Sequence, residues 1–331
     1  MTGVLADEPL WLVGAGSMAG EYARVLSELG QSFAVVGRSK ESAATFEEIS
    51  GVPVYSGGLR SALSATDSPE TAIVAVGVDQ LAIVTSALVE AGVRRVLVEK
   101  PAGLNSREIQ ALQLTANQMG SEVLVAYNRR FYASVTTARR IIEEDGGATS
   151  CTFEVGEYSE KISELDYPES VKASWFLANT SHVLDLVINL IGAPAELAPY
   201  TSGSLSWHPA AAQFTGSGLT EFGIPFSYHG DWEAPGRWGL ELCTSRRRLV
   251  LRPLEELQMI VPGTEGAKSV DIDDRLDQEF KPGLYRLAKA FLEGDDHLLC
   301  PIGEQVRNCR IYDQIAGYRD SAESIFDSRA L

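Results

Sequence analysis

Cysteine and histidine are scarce, with four of each in 331 residues. Cys151, Cys243, Cys300 and Cys309 are widely spaced and form no CxxC pair. That argues against a disulfide framework, and the scattered histidines argue against a structural zinc site. No metal is expected. Cys300 and Cys309 could meet on neighbouring elements, but free thiols are the simpler expectation. Basic residues are also in deficit: 28 Lys and Arg against 45 Asp and Glu give a formal net charge of −17. Attraction to nucleic acid or to an anionic membrane is therefore disfavoured. No apolar run approaches the roughly 20 residues of a membrane span, and no basic-then-apolar leader precedes the first strand. A cytoplasmic protein is expected. Internal repeats and low-complexity tracts are absent too. What remains is an ordinary globular composition, 45% hydrophobic and 22% charged. The length suits one large or two ordinary domains.

The most informative stretch is Leu10 to Gly20. Leu10–Val13 reads as a buried strand, Gly14-x-Gly16-x-x-Ala19 as a tight turn, and Met18, Tyr22, Val25, Leu26 and Leu29 as the apolar face of a helix stopped by Gly30. The first glycine permits the turn, the second lets backbone approach a pyrophosphate, and the small Ala19 lets helix and strand pack closely. The anion would rest on helix N–H groups around Gly14, Gly16, Ser17 and Met18. A second strand, Ser32–Val36, ends in Gly37-Arg38-Ser39-Lys40. An acid at this tip would hold both ribose hydroxyls of NAD. Here Arg38, Ser39 and Lys40 favour a 2′-phosphate, hence NADP over NAD. Glu41 belongs to the following helix.

Further strands are read at 52–55, 72–76, 93–98 and 122–126, alternating with helices. This pattern requires right-handed βαβ units and a parallel sheet. Ligands of such sheets bind beyond the carboxyl ends of the strands. Gly14, Arg38, Gly77-Val78, Lys100 and Tyr127-Asn128 all follow strand ends. In Glu99-Lys100-Pro101, the proline disfavours the helical region for Lys100 and gives it an extended exit. Its ammonium can then meet a substrate hydroxyl and carry a proton; Glu99 would neutralise it or lie under the cofactor.

The stretch Tyr127-Asn-Arg-Arg-Phe131 leaves the first domain, giving expected domains of 1–127 and 128–331, with the final helix able to pack back on the first. A helix at 132–144 and a strand at 150–158 follow; 158–171 reads as a loop. Asn179 or Thr180 is expected to cap a helix, Ser181–Ile191, that carries His182 in its first turn. There the dipole favours neutral imidazole, which suits a base for a hydroxyl proton. Asp185 caps or orients neighbours. From 196 to 259 the pattern is that of an antiparallel sheet with one open face. Arg246-Arg247-Arg248 reads as a solvated hairpin turn, and His208, His229 and His297 lie in polar or turn contexts. Trp175, Trp232 and Trp238 are either core or a wall for sugar C–H groups. Substrate-binding candidates are Lys100, Tyr127, Arg129, Trp175, Asn179 and His182.

Together, Gly14-Ala-Gly-Ser-Met-Ala19, Glu99-Lys-Pro101, Tyr127-Asn-Arg-Arg-Phe131 and Ser181-His-Val-Leu-Asp-Leu-Val-Ile-Asn-Leu-Ile-Gly192 resemble the glucose-fructose oxidoreductase / inositol dehydrogenase / MocA family over nearly the whole chain. The resemblance implies a Rossmann domain followed by an α/β domain on a mostly antiparallel, open-faced sheet that makes dimers or tetramers. It also implies NAD(P)-dependent chemistry on sugars, cyclitols or nucleotide-sugars. Lys100 would assist proton transfer, His182 would stand near the reacting carbon, and Asn128 near the nicotinamide. One departure counts. The family's Asp-x-x-x-His pattern has Ala178 where the acid belongs, and losing that partner removes about 1.5–3 kcal/mol of charge-assisted hydrogen bonding. The departure leaves three outcomes open: Lys100 as the main proton carrier, a different reaction, or little dehydrogenase activity. The expected function is a sugar oxidoreductase. The alternatives are a decayed cofactor-binding sensor or scaffold, and a redox-cycling lyase, hydrolase or epimerase that retains its cofactor.

Overall fold

Short apolar runs, buried on both faces, build the first sheet. In the computed structural model, which describes residues 9–318, these runs are β1 (Leu10–Val13), β2 (Ala34–Gly37), β3 (Val54–Ser56), β4 (Thr71–Val74), β5 (Arg95–Glu99) and β6 (Glu122–Ala126). Between them lie α1 (Ser17–Glu28), α2 (Lys40–Ser50), α3 (Leu59–Ala65), α4 (Leu81–Glu90) and α5 (Ser106–Met119). The lead-in ahead of Pro9 and the stretch beyond Tyr318 lie outside the described residues. The strands run parallel in the order β6-β5-β4-β1-β2-β3. Val13 pairs with both Val36 and Val74, Val74 with Val98, and Val98 with Val125. The strands therefore end in one row, and the chain leaves the sheet along a single edge.

The polypeptide divides into two compact units, one running to Asn128 and taking up Asp277–Val306, the other comprising Arg129–Leu276 and the chain from Arg307. The returning segment is held to the first unit by cations over aromatic rings: Arg24 lies 4.8 Å over Phe280, and Arg95 lies 5.0 Å over Phe291. Arg95 also pairs with Glu122 and, at 2.5 Å, with Asp296.

In the second unit, α6 (Ala133–Glu144) leads into β7 (Ala148–Glu154). The stretch read as a loop holds two short helices, α7 (Ser159–Glu164) and α8 (Glu169–Ala173); Pro168 stands at the start of the second rather than breaking one. Then come α9 (Ser181–Ile191), β8 (Pro194–Ser202), β9 (Gln213–Thr220), β10 (Pro225–Asp231), β11 (Gly239–Thr244), β12 (Arg248–Leu251), β13 (Gln258–Ile260) and β14 (Lys268–Ser269). After α10 (Arg275–Glu279) and α11 (Leu284–Glu293), β15 (Cys300–Pro301) pairs antiparallel with β6, and α12 (Ile302–Ala316) follows. The second sheet has the order β14-β13-β12-β11-β7-β10-β9-β8, antiparallel except for the parallel pair β7–β10. Burial alternates along its strands: Phe226, Tyr228 and Gly230 face inward, whereas Ser227 and His229 are exposed. Thr152, Thr215 and Ser217 share the exposed habit, as do Tyr200 and Leu219, so one face of the sheet is open and mixed in character. On the apolar side, Phe153 and Phe226 line a small cavity with Leu184, Val187, Ile311 and Ile315.

One ion pair anchors this unit. Arg130 donates through Nε to Asp185 Oδ2 at 2.8 Å and through Nη2 to Oδ1 at 2.5 Å, with both side chains 1% exposed. The pair joins the turn at 128–131 to α9. Removing one partner from such a pair strands a buried charge. Asp185→Ala should cost about 3–5 kcal/mol in urea unfolding, and replacing both residues with apolar side chains should recover most of the loss. A single-variant loss below about 1 kcal/mol would show that the pair anchors little.

Candidate active site

The glycine turn forms because no side chain fits within it. Gly14 has φ +133°, and a Cβ there would sit 2.2 Å from the Ala75 carbonyl oxygen. Its N–H donates to Val36 O at 2.9 Å. Gly16 is extended and exposed, with nothing within 4 Å of where a Cβ would stand. α1 begins at once at Ser17 with no side-chain cap. Its first N–H groups thus lie beside backbone that a bulky anion can approach, an arrangement that fits a pyrophosphate. Ala19 is buried, and its Cβ lies 3.6 Å from the position a Gly14 Cβ would take. This is the close strand–helix packing read from the sequence.

At the tip of β2, Arg38 and Lys40 are exposed, and neither has an ion-pair partner among the described residues. Ser39 caps α2 by accepting from Ser42 N at 3.1 Å, and Glu41 lies in the helix's first turn. Beyond β4, Gly77 leads into a single turn at Val78–Gln80, and a Cβ on it would meet Asp79 Oδ1 at 2.8 Å.

The turn after β5 is held at several points. Tyr22 Oη, buried in α1, donates to Glu99 Oε1 at 2.9 Å. The Lys100–Pro101 peptide bond is cis. Ala102 is the one non-glycine residue with positive φ (+76°) among those described, a conformation that costs about 1–2 kcal/mol. Its N–H donates to Glu99 O at 3.0 Å, and buried Gln305 donates through Nε2 to Pro101 O at 3.1 Å. Lys100 is half-buried. Asn128 is buried and donates through Nδ2 to Pro282 O at 2.9 Å, next to buried Tyr127. Burial pushes the Glu99 carboxyl above its ordinary value; the Lys100 charge, the Tyr22 hydrogen bond and the Lys281 charge oppose that rise. The turn thus gathers Glu99, Lys100 and Asn128 on the edge that carries Gly14, Arg38 and Gly77.

In the second unit, His182 is 4% exposed and packs against Trp238 with ring centroids 6.1 Å apart. The Arg129 guanidinium lies 4.7 Å over Trp238 and 5.8 Å over Tyr132. Neither Asn179 nor Thr180 caps α9. A π-turn, Phe176–Thr180, runs directly into the helix, and Thr180 has helical angles of φ −66° and ψ −21°. Both side chains turn instead to buried Glu157, whose Oε1 accepts from Asn179 Nδ2 at 3.0 Å and Thr180 Oγ1 at 2.7 Å. His182 is therefore one turn inside a longer helical run, and the dipole argument for neutral imidazole lapses.

Other expectations resolve into core. Trp232 is 1% exposed, stacks on Trp207 at 5.5 Å and donates to Val155 O. Trp175 packs edge-on against Trp207 and Tyr167. His208 is buried rather than in a polar turn; Nδ1 meets Ala211 O at 2.8 Å and Nε2 meets Tyr318 Oη at 3.0 Å, and burial lowers its pKa. In the arginine hairpin, Arg247 is not simply solvated. It pairs at 2.8 Å with Asp145, which also accepts from Thr244. None of the four cysteines forms a disulfide.

Residues 10–127 match the GFO_IDH_MocA oxidoreductase family, NAD-binding Rossmann fold. The N-terminal domain and the fold match the Gfo/Idh/MocA family. Levoglucosan dehydrogenase, solved as a complex with NADH, superposes with a TM-score of 0.75 at 17% identity, covering 93% of this chain and 96% of that one. UDP-N-acetylglucosamine 3-dehydrogenase GnnA from Acidithiobacillus ferrooxidans gives 0.73 at 16%, covering 93% and 96%. The WlbA dehydrogenase from Chromobacterium violaceum, in complex with NADH and UDP-GlcNAcA, gives 0.71 at 15%, covering 94% and 93%. At these identities the Gfo/Idh/MocA likeness is one of fold. No curated protein matches the chain in sequence.

The sequence did not reveal Tyr22 as the partner of Glu99, although a tyrosine on a buried helix face needs an acceptor for its hydroxyl. Because burial raises the Glu99 pKa, its contribution to stability is complete at acid pH and is lost as pH rises through the raised value. The Tyr22 hydroxyl offsets that loss by donating to the charged form. Tyr22→Phe should cost little near pH ~4 and about 1.5–3 kcal/mol near pH ~8 by urea unfolding. An equal cost at both would mean that the hydroxyl does not serve the carboxylate.

Proposed function

We propose that the protein is an NAD(P)-dependent oxidoreductase that moves a hydride between nicotinamide and a carbon of a sugar, cyclitol or nucleotide-sugar. The observation that carries this reading is the Glu99-Lys100-Pro101 turn, held by Tyr22 and Gln305 on the sheet edge that also bears the glycine turn. The sugar-directed names of structural neighbours support the substrate class. Gly14, Gly16, Ser17 and Met18 hold the pyrophosphate; Arg38, Ser39 and Lys40 favour the 2′-phosphate of NADP; Gly77, Val78, Glu99 and Asn128 border the rest of the cofactor. When bound, that cofactor supplies the hydride donor or acceptor. Lys100 Nζ hydrogen-bonds the reacting hydroxyl and moves its proton, a task worth about 10²–10⁴-fold in rate. The His182 imidazole shares this work. Arg129 orients the substrate, whereas Trp175 is spent on aromatic packing and Asn179 on Glu157. The open face of the second sheet, which exposes Tyr200 and Leu219 among polar side chains, is the surface through which copies associate.

Ala178 favours a second reading, a cofactor-binding sensor or scaffold without turnover. A reduction assay across a panel of sugars and nucleotide-sugars separates the two. Lys100→Ala should lose about 10²–10⁴-fold in turnover while fluorescence titration shows NADPH affinity nearly intact; unchanged turnover would remove Lys100 from the proton route. Arg38→Ala should weaken NADPH by about tenfold and NADH far less. Equal losses for both would point to a site indifferent to the 2′-phosphate.

A further inference from the structure

Arg129 and Arg130 are adjacent in sequence and meet opposite fates. Arg130 is neutralised by Asp185 in a two-point contact. Arg129 is half-buried, and its contacts are with the faces of Trp238 and Tyr132. It has no carboxylate partner and no hydrogen-bond acceptor among the described residues. A guanidinium offers five N–H donors in a planar fork that matches carboxylate or phosphate oxygens. Taking such a group partly out of water without an acceptor is costly.

A second donor stands beside it. Trp238 Nε1 is buried and has no hydrogen-bond partner, and the Arg129 guanidinium lies over that same indole, 4.7 Å from the ring centroid. The indole also meets His182. Two donors lacking acceptors thus converge on one aromatic ring that touches the histidine. The chain has 45 acidic residues against 28 basic ones, so a half-buried arginine left without an acid is not explained by a shortage of carboxylates. The same surplus repels anions in general and makes a local cation the feature that admits one.

We infer that Arg129 and Trp238 form an oxyanion-binding subsite beside His182, and that the substrate is an anionic sugar whose carboxylate or phosphate oxygens occupy it. This inference rests on the oxidoreductase reading for the word substrate, but not for the subsite itself. Arg129 pairs with the anion through its fork, the Trp238 indole N–H donates to a further oxygen, and the neutral part of the sugar lies toward His182. The subsite selects substrate and takes no part in hydride or proton transfer.

The test is binding to the full chain by calorimetry, with D-glucuronate as the carboxylate probe, UDP as the phosphate probe and D-glucose as the neutral control. At least one anion should bind roughly tenfold or more tighter than glucose, and more weakly as salt is raised. In Arg129→Gln the anion-to-glucose ratio should fall by roughly tenfold to a hundredfold. Arg129→Lys should recover part of it, because charge returns without the fork. Trp238→Phe, which keeps the aromatic face and removes the N–H, should lose several-fold. Preference for glucuronate identifies a sugar acid; preference for UDP identifies a nucleotide-linked sugar. Circular dichroism of each variant confirms folding, and Arg129→Lys serves if Arg129→Gln fails to fold. Anion and glucose binding equally well, or anion affinity unchanged in Arg129→Gln, would overturn the inference. Arg129-dependent anion binding without turnover of any substrate would leave the subsite standing and sink the oxidoreductase reading. Turnover confined to neutral sugars would do the reverse.

Discussion

Between the end of the first strand and the carbonyl of Ala75 there is no room for a carbon atom: a Cβ on Gly14 would lie 2.2 Å from that oxygen. Much of the first unit follows from this approach. β1 and β4 are neighbours with Val13 opposite Val74, so their exits diverge from adjacent points. The chain leaving β1 turns at once into α1, whose N–H groups open onto the edge. The chain leaving β4 reaches Gly77, and the next two strands, in register, deliver Lys100 and Asn128 to the same edge. The cofactor-directed residues come from separate parts of the sequence, and their assembly is a property of strand register rather than of any loop.

The distribution of charge within this acidic chain is informative. Several cations are paired with acids: Arg95 with Glu122 and Asp296, Arg130 with Asp185, Arg247 with Asp145. These tie helices, strands and turns to one another. Arg38, Lys40 and Arg129 lack acid partners among the described residues, as do the exposed Arg24, Arg60 and Arg94. Arg129 differs from those exposed cations in being half-buried, so an external anion can supply the partner that water supplies to them.

Local patterns were legible and distant pairings were not. β1 and β6 have the limits read from their apolar runs, and the Gly14 turn has the conformation its spacing demanded, because each depends on a few consecutive residues. The parallel pairing of β7 with β10 inside an otherwise antiparallel sheet joins strands about 75 residues apart, with no local signature. The Tyr22–Glu99 and Arg130–Asp185 bonds span 77 and 55 residues. The cap expected at Asn179 or Thr180 failed for a different reason. Both side chains suit a helix start, but Glu157, arriving from the end of β7, offers a buried carboxylate that outcompetes the backbone for them. His208 was misread because the polar sequence around it gave no hint of the aromatic cluster that encloses it.

The absence of an acid at 178 can now be set against the carboxylates that are present. Asp185, one turn beyond His182, has each oxygen engaged by Arg130. Glu157, which faces the turn before His182, spends Oε1 on Asn179 and Thr180. Both acids thus help to hold the helix that carries His182. The turn carrying Lys100 likewise has its preceding carboxylate and its following carbonyl and amide fixed by named donors and acceptors. Proton transfer rewards a group whose position is fixed before the substrate arrives. In the proposed reaction the larger share of proton transfer accordingly falls to Lys100 Nζ and the smaller to His182.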